Sequence, residues 1–154
     1  MPKVDPSKVP TVTGSRYPSP FDEPCRARQN RQLGVAAGLT QFGVIQTTLP
    51  PGSWSSQRHW HEHEDELVYV LEGEVILIED DGEHRLVAGD SAGFKAGVPN
   101  GHHLVNRSEQ SAVVLTIGSR LDTDHGEYSD IDMKFSAGRY SGRGAFLHKD
   151  GTKY

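Results

Sequence analysis

From about residue 40 onward the chain alternates short apolar runs with turn-forming residues, and no segment between them repeats its apolar positions at a helical spacing. Gln41 to Leu49 reads as a first strand, stopped by Pro50-Pro51-Gly52. Glu66 to Leu71 is rich in β-branched and aromatic residues, and Glu72-Gly73 turns it into Glu74–Glu79. Asp81-Gly82 is a strong hairpin signal, because both residues tolerate a positive φ. Further strands are predicted over Glu83–Val87, Ser91–Phe94, His102–Asn106 and Ala112–Ile117. Strands arriving this regularly predict an all-β fold, an antiparallel sandwich or barrel. Phe42, Val44, Val68, Val70, Ile76, Ile78, Phe94 and Leu104 are its candidate core or lumen residues.

The two ends read differently. Residues 1–31 hold six of the nine prolines and little periodic apolar pattern, which predicts an extended arm that either dangles or lies along a partner's sheet edge. Residues 32–120 form the predicted barrel. Residues 121–154 are polar again, with a last strand expected at Ile131–Phe135 and a surface-hugging tail from Ser141.

Composition narrows the classes. A chain of 154 residues has room for one domain with a core. Its longest apolar run, Leu67 to Leu71, is far short of the ~20 residues that span a bilayer, so no membrane role is expected. The start of the chain lacks a secretory apolar stretch, and the single cysteine, Cys25, cannot form an internal disulfide. Both fit a reducing cytoplasm. A net charge of −5, without any basic stripe, argues against nucleic acid as a partner.

The chemistry concentrates around His59-Trp60-His61. On a strand, residues two apart share a face, so both imidazoles can point inward while Trp60 points out. Glu66 follows after a short acidic loop and opens the next strand, and His102 supplies a third imidazole on a distant strand. Three imidazoles and a carboxylate suit one borderline divalent ion, such as Zn, Fe, Mn, Ni or Cu. Any one of these histidines alone is more often a surface or hydrogen-bonded residue. Burying all four groups together without a cation would be costly, and the combination therefore points to a metal site.

The spacing resembles that of the cupins. Their first motif is matched by His59, His61, Glu66 and Gly73 residue for residue, with Gly52 one position further back than usual. The second is matched by Gly89, Gly97, His102 and Asn106, but Lys95 stands where a proline is expected and two residues are inserted before the histidine. The resemblance covers about residues 40–120 and is closer to a group of small bacterial single-domain cupins. It implies a jelly-roll-like β-barrel, a metal held by His59, His61, Glu66 and His102, and frequent homodimers. The insertion leaves His103 as an alternative to His102, which is preferred because it keeps the spacing to Asn106.

Around the motif, Asp65 could steady a ligand imidazole or be a solvated acid, His63 reads as a rim residue, and Tyr69 falls on the face opposite Glu66. Lys95 reads as a solvated loop lysine. No general base stands out beyond the ligands, so no catalytic residue is assigned. The functional expectation is a metal-dependent enzyme acting on a small polar molecule, of oxygenase, isomerase or decarboxylase type. The alternative is a non-catalytic pocket for a sugar or carboxylate.

Overall fold

The structure is a computed structural model that describes residues 3–154. Two short strands precede the predicted barrel: β1 (Thr11–Thr13) and β2 (Gln29–Gln32), followed by one helical turn, α1 (Leu33–Ala36). Then come β3 (Phe42–Leu49), β4 (His59–His61), β5 (Glu66–Glu72), β6 (Glu74–Glu79), β7 (Gly82–Val87) and β8 (Ser91–Phe94). The chain continues through β9 (His103–Val105) and β10 (Ala112–Ser119). It closes with β11 (Gly126–Tyr128), β12 (Lys134–Phe135) and β13 (Phe146–Leu147). Every pairing is antiparallel among the described residues, as in the expected jelly roll.

One layer is a six-stranded sheet ordered β1-β2-β3-β10-β5-β8. Facing it are the sheets β7-β6-β9 and β13-β12-β11-β4, linked by a bridge between His59 and His102. The proline-rich segment therefore seats β2 on this chain's own β3, with Gln29 opposite Thr48. Its prolines fall outside β1 and β2, where no ladder donor is lost.

Between the layers the six-stranded sheet contributes Leu49, Val68, Val70, Ala112 and Val114, and the facing sheet contributes Val75, Leu77 and Leu104. Burying each such Val or Leu stabilises the fold by roughly 1.5–3 kcal/mol. A second cluster of Tyr128, Met133 and Phe135, with Tyr17 and Phe21, closes the other end.

The predicted core is corrected at four positions. On β6 the buried residues are Val75 and Leu77, while Ile76 and Ile78 are half-buried. The turn between β5 and β6 is a single residue, Gly73, so inward positions pass from even numbers on β5 to odd numbers on β6. With four successive apolar residues, β6 itself carries no parity signal. Gly73 has φ 73°, and a Cβ there would lie 2.9 Å from the Ser111 carbonyl oxygen, so a side chain is excluded on both counts. Phe42 is 43% exposed and Val44, on the same face, is half-buried, because Thr47 and Leu49 mark the inward face of β3. The last predicted strand is shorter than expected, with Ile131 and Met133 packing outside it.

Candidate metal centre

β4 is only three residues long, yet its alternation decides the site. His59 and His61 share one face, and β4 is held by β11, with Tyr128 opposite His59 and Gly126 opposite His61. A Cβ at Gly126 would lie 2.0 Å from the Trp60 carbonyl oxygen, so only glycine lets these strands close. Glu66 opens β5, opposite Phe94 of β8. His102 immediately precedes β9 and exchanges two backbone hydrogen bonds with His59, of 3.2 and 2.9 Å.

The side chains converge. One donor atom from each of His59, His61 and Glu66 lies within 4.8 Å of the others. His102 is not part of that trio, but its Nε2 is 3.3 Å from Glu66 Oε1, and its ring centroid is 5.1 Å from that of His59. The His102 ring lies flat on Phe94 at 3.5 Å. His103 faces the other way: its Nδ1 donates to the Ser56 carbonyl at 3.0 Å and its ring abuts Trp54.

Hydrogen bonds set the tautomers. A carbonyl can only accept, so His59 Nδ1, 2.9 Å from the Gln57 oxygen, must carry the proton. His61 Nδ1 likewise donates to Asp124 Oδ2 at 2.7 Å. A ring protonated only on Nδ1 keeps its lone pair on Nε2, and His61 Nε2 lies 3.9 Å from Glu66 Oε2. Burial and the charges of His61 and His102 hold His59 well below the usual imidazole range, in the neutral form a metal requires. Burial alone would raise Glu66, but the His102 hydrogen bond and the three imidazoles hold it well below the carboxylate range, as an anion. Neutral imidazoles facing one carboxylate are a donor set that fits a divalent cation.

Asp124 was not visible from the sequence around the motif. It is buried 63 residues beyond His61, and its second oxygen accepts the His63 amide at 3.0 Å. This carboxylate–imidazole pair fixes the ring and raises its basicity. Asp65, considered for that role, is exposed and instead caps the Ala96 amide at 2.9 Å. Glu64, beside it, is buried and pairs with Arg139 while accepting from Tyr140 at 3.1 Å. Asn106 donates to the Leu49 and Gln110 carbonyls at 2.7 Å, so it clamps a turn. His63 and Lys95 are exposed.

The cluster borders a cavity of about 680 Å³. Thr116 and Gly118 of β10 line it, as do Phe135 and Phe146 of the C-terminal segment and Thr13, Arg16, Tyr17 and Arg28 of the N-terminal segment. No described helix is long and apolar enough to cross a membrane.

Comparisons with known proteins agree with this architecture. The cupin domain family matches residues 45–118. The chain is similar to a crystal structure described as a sugar phosphate isomerase from a cupin superfamily, from Silicibacter pomeroyi. Identity is 44%, over 99% of this chain and 96% of that one, with a TM-score of 0.94. It is also similar to a candidate sugar phosphate isomerase from Acidithiobacillus ferrooxidans, 29% identical over 83% of this chain and 80% of that one, with a TM-score of 0.74. A polyketide cyclase from Streptomyces resistomycificus shares the fold, at 23% identity over 77% and 79% of the two chains and a TM-score of 0.61. No protein of curated function matches the sequence.

Proposed function

The chain belongs to the cupin superfamily, and on that footing we propose that it is a metal-dependent isomerase of small phosphorylated sugars. One observation carries the reading: the His59, His61 and Glu66 donors gather, with His102 beside Glu66, at a cavity whose other walls present arginines. His59, His61 and Glu66 would hold the ion, with His102 completing the set through its position beside Glu66. A bound divalent ion supplies Lewis acidity toward a sugar carbonyl or hydroxyl. Asp124 keeps the His61 proton on Nδ1, so Nε2 stays available as a donor. Phe135 and Phe146 give the cavity an apolar side that limits water around the reacting carbons. The names of the two isomerase neighbours favour isomerisation over oxygenation or decarboxylation.

A homodimer belongs to the same proposal. Leu67, Tyr69 and Leu71 are 42, 39 and 38% exposed on one face of β5, and Leu115 and Ile117 of β10 lie beside them. An apolar sheet face of this kind suits a subunit contact.

The test is metal analysis of protein purified without chelators, followed by interconversion assays on aldose and ketose phosphates. About one divalent ion per chain and turnover that chelation abolishes support the reading. Metal and sugar phosphate bound without turnover would leave a binding protein, and absence of metal would defeat the proposal.

A further inference from the structure

The arginines of this chain divide by their partners. Arg26, Arg58, Arg85, Arg107, Arg139 and Arg143 each lie within 4.0 Å of a carboxylate. Among the described residues Arg16, Arg28, Arg31 and Arg120 have no such partner, and three of these four, all but Arg31, line the cavity over the metal centre. Cations left uncompensated along one cavity form a site for an anion.

We propose that Arg28, with Arg16 beside it, is the subsite that receives the phosphate group of the substrate. The choice of phosphate rests on the isomerase reading above, while the location rests on the geometry of the arm. Arg28 Nε donates to the Gly14 carbonyl at 3.0 Å and Nη1 donates to the Ser55 carbonyl. Two neutral acceptors thus fix the half-buried guanidinium without spending its charge, and Nη2 is engaged by no described residue. The Gly14 amide returns a 2.9 Å hydrogen bond to the Arg28 carbonyl, which locks the loop that carries Arg16 and Tyr17.

This end of the cavity connects to the metal donors. The Tyr17 ring is 5.5 Å from that of Tyr128, and the Tyr128 ring is 5.7 Å from that of His59. The packed rings of Tyr17 and Tyr128 thus join the arm to the imidazoles along one wall of the same cavity. The opposite wall carries carboxylates of its own. Arg139 is claimed by Glu64 and lies 3.8 Å from Asp124, and Arg120 rests on the Leu39 carbonyl and the Tyr140 ring. There Arg139 is balanced by two carboxylates, and Arg120 alone is left without one. At the arm, among the described residues, neither Arg16 nor Arg28 has one. A planar guanidinium held in place suits phosphate oxygens, which take charge-assisted hydrogen bonds.

Titration of chelator-treated, full-length protein with inorganic phosphate in a calorimeter tests the subsite without the metal. The unaltered protein should bind phosphate. Arg16→Ala and Arg28→Gln should each weaken binding about tenfold, the loss of one charge-assisted contact, and Arg28→Lys should recover part of it. Arg31→Ala removes the same charge from the same segment outside the cavity and should leave binding unchanged. Arg16 makes no side-chain hydrogen bond among the described residues, so its removal tests the subsite even if the Arg28 variants fold poorly. No phosphate binding, equal weakening in Arg31→Ala, or a loss confined to Arg120→Ala would overturn the assignment. Turnover is read separately. Phosphate binding that responds to Arg16 in a protein without isomerase activity sinks the isomerase reading and keeps the subsite. Isomerase activity whose KM ignores Arg16 does the reverse.

Discussion

Replacing Asp124 by asparagine is the sharpest probe of the centre, because it changes one atom type at a buried position and leaves volume and most packing intact. Asp124 is 2% exposed, with one oxygen 2.7 Å from His61 Nδ1 and the other 3.0 Å from the His63 amide. An asparagine has one acceptor for these two donors. If its oxygen serves His63, its amide group must donate to His61 Nδ1, and the ring proton moves to Nε2, the atom that would bind metal. If its oxygen serves His61, the His63 amide is left facing a donor. Loss of a carboxylate behind a ligand imidazole typically lowers metal affinity tenfold to a hundredfold, or about 1.4–2.8 kcal/mol. The assay is competition for Zn against a fluorescent chelator, run beside thermal melts of metal-free protein. Affinity unchanged within a factor of two, with only the melting temperature lowered, would show that Asp124 merely packs. The pH dependence gives a second check. Burial pushes the Asp124 carboxyl up, but the hydrogen bonds from His61 and His63 more than reverse this and hold it below its ordinary value. A depressed carboxyl stabilises the fold fully above its unfolded pKa and loses that contribution as pH falls through the lowered one. The difference in melting temperature between the two metal-free proteins should therefore be full at neutral pH and fade in acid.

The remaining tests address neighbouring claims. His102→Ala should lower metal affinity at least tenfold and also cost stability through the ring stacked on Phe94. His103→Ala should cost stability, on the order of 1–3 kcal/mol from a lost buried hydrogen bond and ring contact, and leave metal content alone; elemental analysis separates the two. His63→Ala should change neither, since His63 is exposed, and an equal loss of metal in that variant would show that the ligand register is shifted. Tyr69→Glu, on the exposed face of β5, should convert a dimer to monomer in light scattering, and an unchanged mass would move the interface elsewhere. Burial pushes the Cys25 thiol up to about 11, so it stays protonated at pH 8 and should react with a thiol reagent only after unfolding.

Much of the barrel was legible in the linear pattern. Runs such as Glu74–Glu79 and Ser91–Phe94 match their strands end to end, because turn residues and β-rich runs act over a few neighbours. His59 and His61 share a face because a strand alternates, and Glu66 lies near them because only a short loop intervenes. Parity on β6 was not legible. Both of its faces are apolar, and the one-residue turn at Gly73 settles which of them meets the core.

The groups that reach the cluster from far away left no trace in the chain's local order. Asp124 sits in a polar stretch that resembles any loop, and Arg28 lies in a proline-rich arm that reads as extended but does not reveal that β2 pairs with β3 of the same chain. A strand advertises itself through residues a few positions apart. A hydrogen bond between His61 and Asp124, or a guanidinium left without a counter-ion, exists only once folding brings distant segments within 3 or 4 Å, where burial and charge are shared. The amino-acid order thus determines the strands and a histidine-rich motif. The partner of each imidazole, and the cavity wall that carries the unbalanced charge, come from packing.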